Sequence, residues 1–188
     1  MRSLLALVLT WLVPVTVVSA DVLHDLAKKH SFAGDFEQRV LSPSGDVIET
    51  ASGNFRFMRP DYFWWQTDSP ERQLLIATGD TLTQIDWDLE VVVEREITAE
   101  TRSALHWLLA PRSELESAFN IELSEYAVSL TPVGEGAGFL NIGISHTADN
   151  QWTLRITDLG FQLLEFSMVE DPAIVVDAAG FTLPELPF

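Results

Sequence analysis

The 188-residue chain contains no cysteine. Disulfide cross-links, thiolate metal sites, thioether-bound haem and cysteine nucleophiles are thereby excluded. Basic residues are scarce too: 11 Lys and Arg stand against 28 Asp and Glu, a formal charge of −17. Such a surface repels phosphate backbones and anionic headgroups, which argues against a nucleic-acid partner and for a soluble monomer. The four histidines (24, 30, 106 and 146) show no metal-ligand spacing. There is no G-x-S-x-G elbow, and Ser145 and His146, as neighbours on a strand, face opposite ways and cannot share a proton. "GEGAG" at 134–138 has no helix start behind it, so it reads as a hairpin loop rather than a phosphate cradle. Asp86, Asp88 and Glu90 alternate, but a calcium loop needs glycine sixth and glutamate twelfth, where this chain has Val91 and Ile97. The acidic stretch reads as a solvated hairpin rim. The expectation is a protein that is not an enzyme and carries neither cofactor nor metal.

Long apolar runs are also missing, save one at the start. "MRSLLALVLTWLVPVTVVSA" has an early arginine, an apolar stretch and small residues at Val18-Ser19-Ala20, the pattern of a cleaved secretory signal. Pro14 and Thr16 leave the run short of the ~20 residues that a membrane span needs. The expected division is a signal peptide over 1–20 and a single domain over 21–188, exported to the periplasm.

What fills the rest is strand after strand. "DVLHDLAKKH" predicts a short amphipathic helix with Val22, Leu23 and Leu26 on its apolar stripe. Six extended segments then run from Ser31 to Ile97, separated by turn residues such as Ser42–Gly45 and Gly79-Asp80. "TAETRSALHWLLAPRSELESAF" breaks the pattern. Ala104, Leu105, Leu108 and Leu109 recur at helical spacing, Pro111 ends that helix, and Ser113 with Glu116 has the form of a capping box for another. Four more extended segments and a short tail complete the chain, "NIELSEYAVSLTPV" being read as one of them. The expected class is α+β, mainly β, built on one large antiparallel sheet. A sheet of that size must curl, and its apolar concave face needs filling. The inserted helices are the natural filler.

The stretch "FMRPDYFWWQTDSPE" (57–71) places five aromatics within its first nine positions. In a strand Phe63 and Trp65 point one way while Tyr62 and Trp64 point the other, so both faces are apolar. One face lining a hollow and the other carrying a covering helix would account for that.

Several of these segments together resemble the LolA family of lipoprotein carriers. They are "FAGDFEQ" (32–38), Ser52-Gly53, "RPDYFWW" (59–65), "LLIATGDTL" (74–82), "IDWDLE" (85–90), "SALHWLLA" (103–110) and "VDAAGFTL" (176–183). The resemblance implies a twisted, incomplete antiparallel β-barrel (a half-barrel), with an N-terminal helix and inserted helices lidding an apolar cavity. It implies lipoprotein acyl chains as cargo, an inner-membrane releasing complex as donor and an outer-membrane receptor as acceptor. It also implies that Arg59 latches the lid by bonding to backbone carbonyls. Phe36, Phe57, Phe63, Trp65, Leu74 and Ile76 are the expected cavity wall, and Leu105, Leu108 and Leu109 the expected lid. The chain departs from the family in a shorter segment before "VDAAGF", a shorter first helix and Val91 in place of a common glutamine. A relative serving another lipid or glycolipid, and a protein-binding β module without lipid cargo, are the alternatives.

Overall fold

The computed structural model describes residues 22–98, 104–134, 136–146 and 150–188; the expected signal segment lies outside them. Helix α1 (Val22–Lys28) is followed by β1 (Ser31–Leu41), β2 (Val47–Met58), β3 (Tyr62–Ser69), β4 (Gln73–Thr78), β5 (Thr81–Asp86) and β6 (Val91–Glu96). A 3-10 helix (Ala104–Leu108) and α2 (Arg112–Ala118) come next. Then follow β7 (Phe119–Leu123), β8 (Ala127–Pro132), β9 (Phe139–His146), β10 (Gln151–Asp158) and β11 (Leu163–Glu170), with a second 3-10 helix (Ala178–Phe181) in the tail. The 11 strands make one antiparallel sheet in the order β6-β5-β4-β3-β2-β1-β11-β10-β9-β8-β7. It is an open half-barrel: β6 and β7 form its two edges and do not pair.

That order dictates the insert. Strand β6 ends at one edge of the sheet and β7 begins at the other, so residues 97–118 must cross from edge to edge. The crossing carries Ala104, Leu108, Leu109 and Leu115 into the cluster formed by the concave face. Helix α1 adds Val22, Leu23 and Leu26 to the same cluster.

Two glycines permit the sheet to bend around this interior. A Cβ on Gly34 would fall 1.9 Å from the Val169 carbonyl oxygen of β11, and one on Gly53 would fall 1.9 Å from the Gln66 carbonyl oxygen of β3. No other residue fits so close an approach. At Gly53 the β2–β3 register also slips by one residue, a bulge that sharpens the bend.

Strand β3 is buried on both sides. Phe63 and Trp65 face inward, whereas Trp64 faces outward into a second cluster with Leu74, Ile76, Ile85 and Phe181. The tail covers this outer patch. Phe181 packs 5.3 Å from Tyr62, and Arg56 lies 5.2 Å from the Trp64 ring while donating to the Gly180 carbonyl at 3.4 Å.

Three local expectations need correction. "NIELSEYAVSLTPV" is two strands, β7 and β8, joined by a turn in which Ser124 N–H donates to the Ala127 carbonyl at 2.8 Å, so the sheet has one more strand than the extended segments suggested. Ser113 does not cap α2. Pro111 holds the N-cap position without a side-chain bond, and Glu116 pairs instead with Arg112 at 2.8 Å. Asp86 is not solvated but buried. It accepts from the backbone N–H of Asp88 (3.0 Å) and Leu89 (2.9 Å) and from Gln73 Nε2 (3.0 Å), which builds the β5–β6 turn.

Candidate functional site

The concave face is an aromatic wall. Phe32 stacks on Phe57 at 4.7 Å, Phe57 meets Phe63 at 5.2 Å, Phe36 stacks on Trp65 at 3.9 Å, and Phe166 of β11 meets Trp65 edge-on at 5.3 Å. Four of the expected wall residues, Phe36, Phe57, Phe63 and Trp65, therefore stand together and are buried. Leu74 and Ile76 do not join them. In the β3–β4 register Ile76 opposes Trp64 and Leu74 opposes Gln66, so both side chains point outward beneath the tail. Leu75 and Ala77 face inward in their place, a one-residue difference of register that exchanges faces. Phe55, fully buried at 0% exposure, was missed. Its signal was available, because it alternates with Phe57 on the same strand.

The interior is not hollow. Leu108 and Leu109 are buried inside it, Leu105 is half-buried at its margin, and His106 stacks on Phe63 at 5.6 Å. Open space at its margins includes a cleft of about 550 Å³ beside Phe36, Trp152 and Met168 and one of about 270 Å³ floored by Trp65, Leu75, Leu105, Leu164 and Phe166. The cleft over Trp65 is smaller than the ~300–1,000 Å³ of ordinary ligand sites. A larger guest there requires Leu105 and the 3-10 segment that carries it to move aside.

Arg59 sits at the β2–β3 turn, where its guanidinium meets two elements at once. Nη2 donates to the Leu108 carbonyl at 3.0 Å, and Nη1 donates to the carbonyls of Leu109 and Ala110, the latter at 3.4 Å. On the other side Nη2 donates to the Leu26 carbonyl at 3.2 Å and Nε to the Lys29 carbonyl at 3.1 Å. Burial lowers the Arg59 pKa from its ordinary value, yet an arginine remains charged at any physiological pH. All five acceptors are carbonyls of residues at or just beyond the C-terminal ends of the two helical segments, where partial negative charge gathers. Lys29 is itself fixed: its Nζ bonds both Glu170 carboxylate oxygens, at 2.8 and 2.6 Å.

His146 stacks on Trp152 at 4.1 Å as a packing residue. Among the described residues no group of three or more His, Asp or Glu side chains could hold a metal ion, and no helix is long and apolar enough to cross a membrane.

The family described as "Outer membrane lipoprotein carrier protein LolA" matches residues 27–170. The chain belongs to the LolA family. It is 32% identical over 166 residues to an outer-membrane lipoprotein carrier protein of Cupriavidus pinatubonensis, covering 82% of this chain and 78% of that one. A protein of the same name from Alcanivorax borkumensis is 29% identical over 170 residues, covering 87% and 76% of the two chains. A crystal structure of a LolA superfamily protein from Nitrosomonas europaea superposes with a TM-score of 0.49 at 8% identity, over 88% of this chain and 98% of that one. The matched span takes in β1 to β11, the whole sheet with its insert.

Proposed function

We propose that this LolA family member is a periplasmic carrier that shelters the acyl chains of lipoproteins between the inner and outer membranes, without catalysing a reaction. The observation that carries the reading is the content of the interior. It is filled by a connecting segment rather than by the sheet's own side chains alone, and that segment is tied down by one arginine. Such a filler can be exchanged for something of like polarity. The names of the relatives, outer-membrane lipoprotein carrier proteins, agree with that use.

An acyl chain of about fifteen methylenes gains on the order of 12 kcal/mol when it leaves water. To enter, it must displace Leu108 and Leu109, whose burial returns about 1.5–3 kcal/mol each, and break the Arg59 bonds to their carbonyls. Net affinity is then a difference between two apolar contents, low enough to reverse at a handover. Arg59 acts in this scheme as the latch, Leu105, Leu108 and Leu109 as the lid, and Phe36, Phe57, Phe63 and Trp65 as the permanent wall. An inner-membrane releasing complex and an outer-membrane receptor are the implied handover partners. The sequence from Met1 to Ala20 serves as the export signal.

The test is displacement of an environment-sensitive apolar dye. A lipidated peptide should displace it and the same peptide without its lipid should not. Equal displacement by both peptides would support a protein-binding module instead.

A further inference from the structure

The inner surface changes chemistry along its length. From the Arg59 end outward, the inward positions of β3 are Phe63, Trp65 and Thr67, and those of β4 are Ala77, Leu75 and Gln73. Along β2 they run Phe57, Phe55, Gly53, Ala51 and Glu49, and along β1 Phe32, Gly34, Phe36 and Gln38. Strands β2, β3 and β4 pass from aromatic or aliphatic to amide, hydroxyl or carboxylate, and β1 presents Gln38 before the buried Val40. The open cleft of about 270 Å³ lies where that change occurs. Its floor is apolar, and its mouth is formed by Gln38, Glu49, Thr67, Glu71 and Gln73.

No lysine or arginine lines the cleft among the described residues. The basic residues nearby are committed to the outer face. Arg72 lies 4.3 Å from the Trp87 ring, and Arg39 and Arg155 both pair with Glu165. An acyl chain lying on Trp65, Leu75 and Phe166 would therefore bring its polar end against two carboxylates and no cation.

We infer that this mouth is the seat for the polar group adjoining the acyl chain, and that Glu49 and Glu71 select acylated ligands whose polar end is neutral or cationic over lipids headed by phosphate. The inference rests on the carrier reading above. A phosphate placed there meets like charge with no compensating donor of opposite sign. A glyceryl ester or peptide amide meets Gln38 and Thr67, which both donate and accept, and the Gln73 amide, whose nitrogen also donates to Asp86. Any oily pouch that works beside a bilayer meets phospholipid in large excess, so rejection has to be built into the pouch.

The experiment uses the whole mature chain loaded with an apolar dye and three competitors with the same palmitoyl chain: monopalmitoylglycerol, a palmitoylated uncharged peptide and lysophosphatidylglycerol. The parent protein should bind the phosphate-headed competitor about tenfold more weakly than the other two. The double variant E49Q/E71Q should bring that ratio to within about threefold without weakening monopalmitoylglycerol. E37Q/E122Q, which changes net charge equally but outside the cleft, should leave the ratio alone. Selectivity is overturned if the parent binds all three alike, if E49Q/E71Q keeps the parent's ratio, or if E37Q/E122Q shifts it as much. In each of those cases the carrier reading stands, because the acyl chain still binds. If no competitor displaces the dye, the carrier reading falls and selectivity falls with it.

Discussion

Replacing Arg59 with leucine removes the donors that hold the insert while leaving its apolar contacts in place. Three of the five acceptors, the carbonyls of Leu108, Leu109 and Ala110, belong to the insert. A hydrogen bond from a charged donor contributes about 1.5–3 kcal/mol when well buried. Arg59 is only half-buried and shares its fork among five acceptors, so about 2–3 kcal/mol in total is the reasonable magnitude for the insert. That corresponds to roughly a 30- to 150-fold rise in the equilibrium constant for lifting the segment. Amide hydrogen exchange reads it directly. The N–H groups of Leu109 and Ala110 bond to the His106 and Trp107 carbonyls at 3.1 and 3.3 Å and are exposed when the segment lifts. Their exchange in Arg59→Leu should accelerate by that factor, while amides of central strands such as β1 and β2 keep their protection. Arg59→Lys retains the charge but loses the planar fork and should fall between the two. At neutral pH the guanidinium holds its proton in the folded and unfolded chain alike, so depression of its pKa by burial adds no pH dependence there. The rate ratio between variant and parent should accordingly stay flat from about pH 6 to 8. If Leu109 and Ala110 exchange within threefold of the parent in a folded Arg59→Leu protein, the arginine is not the latch.

Other substitutions separate fold from lid. Gly53→Ala places a methyl against the Gln66 carbonyl and should lower thermal stability by about 3 kcal/mol. Gly143→Ala, where the nearest atom to a new Cβ is 3.7 Å away, should stay within about 1 kcal/mol of the parent in the same melt. Leu108→Ala should cost the empty protein about 2–4 kcal/mol in denaturant titration yet tighten acyl or dye binding, because the guest displaces less; weaker binding would contradict a competing stopper. Glu170→Gln breaks the paired contact with Lys29 and should speed exchange in α1 several-fold, read by the same hydrogen-exchange method.

Period-two alternation and turn residues located the six strands of the first half, and the helical spacing of Ala104, Leu105, Leu108 and Leu109 located the insert. The doubly apolar β3 was legible for the same reason, since a strand with no polar face must be covered twice. The outer cover proved to be the tail around Phe181 rather than a longer helix. Leu74 and Ile76 went to the wrong face because β4 reads "QLLIAT", four consecutive apolar residues with no alternation to fix their sense. Only pairing with β3 decides it, and that depends on the turn between them. Asp86 misled because a carboxylate among other acids looks solvated, whereas its hydrogen bonds to Asp88, Leu89 and Gln73 come from residues whose approach depends on the folded turn. The Gln38, Glu49 and Gln73 mouth was missed since these residues lie on three strands and become neighbours only through the curl.

The strand order and the proposed Arg59 latch belong to one physical scheme. A meander that reaches one edge of an open sheet and resumes at the other must send a connecting segment across the concave side. Its 3-10 helix, Ala104–Leu108, is not one of the paired strands, so that part can leave the interior without unpairing a strand. Apolar contact resists departure, and an acyl chain would replace it in kind; the Arg59 bonds resist it too, and a guest would not replace them. The guest therefore has to supply in extra apolar area what the arginine bonds withhold. A short acyl chain cannot do that, and a long one can. Length dependence follows: displacement of the dye by palmitoyl, lauroyl and octanoyl versions of one peptide should fall off more steeply in the parent protein below a threshold length. In Arg59→Leu that threshold should move to shorter chains. Identical thresholds in the two proteins would mean that the insert is not what the chain has to lift.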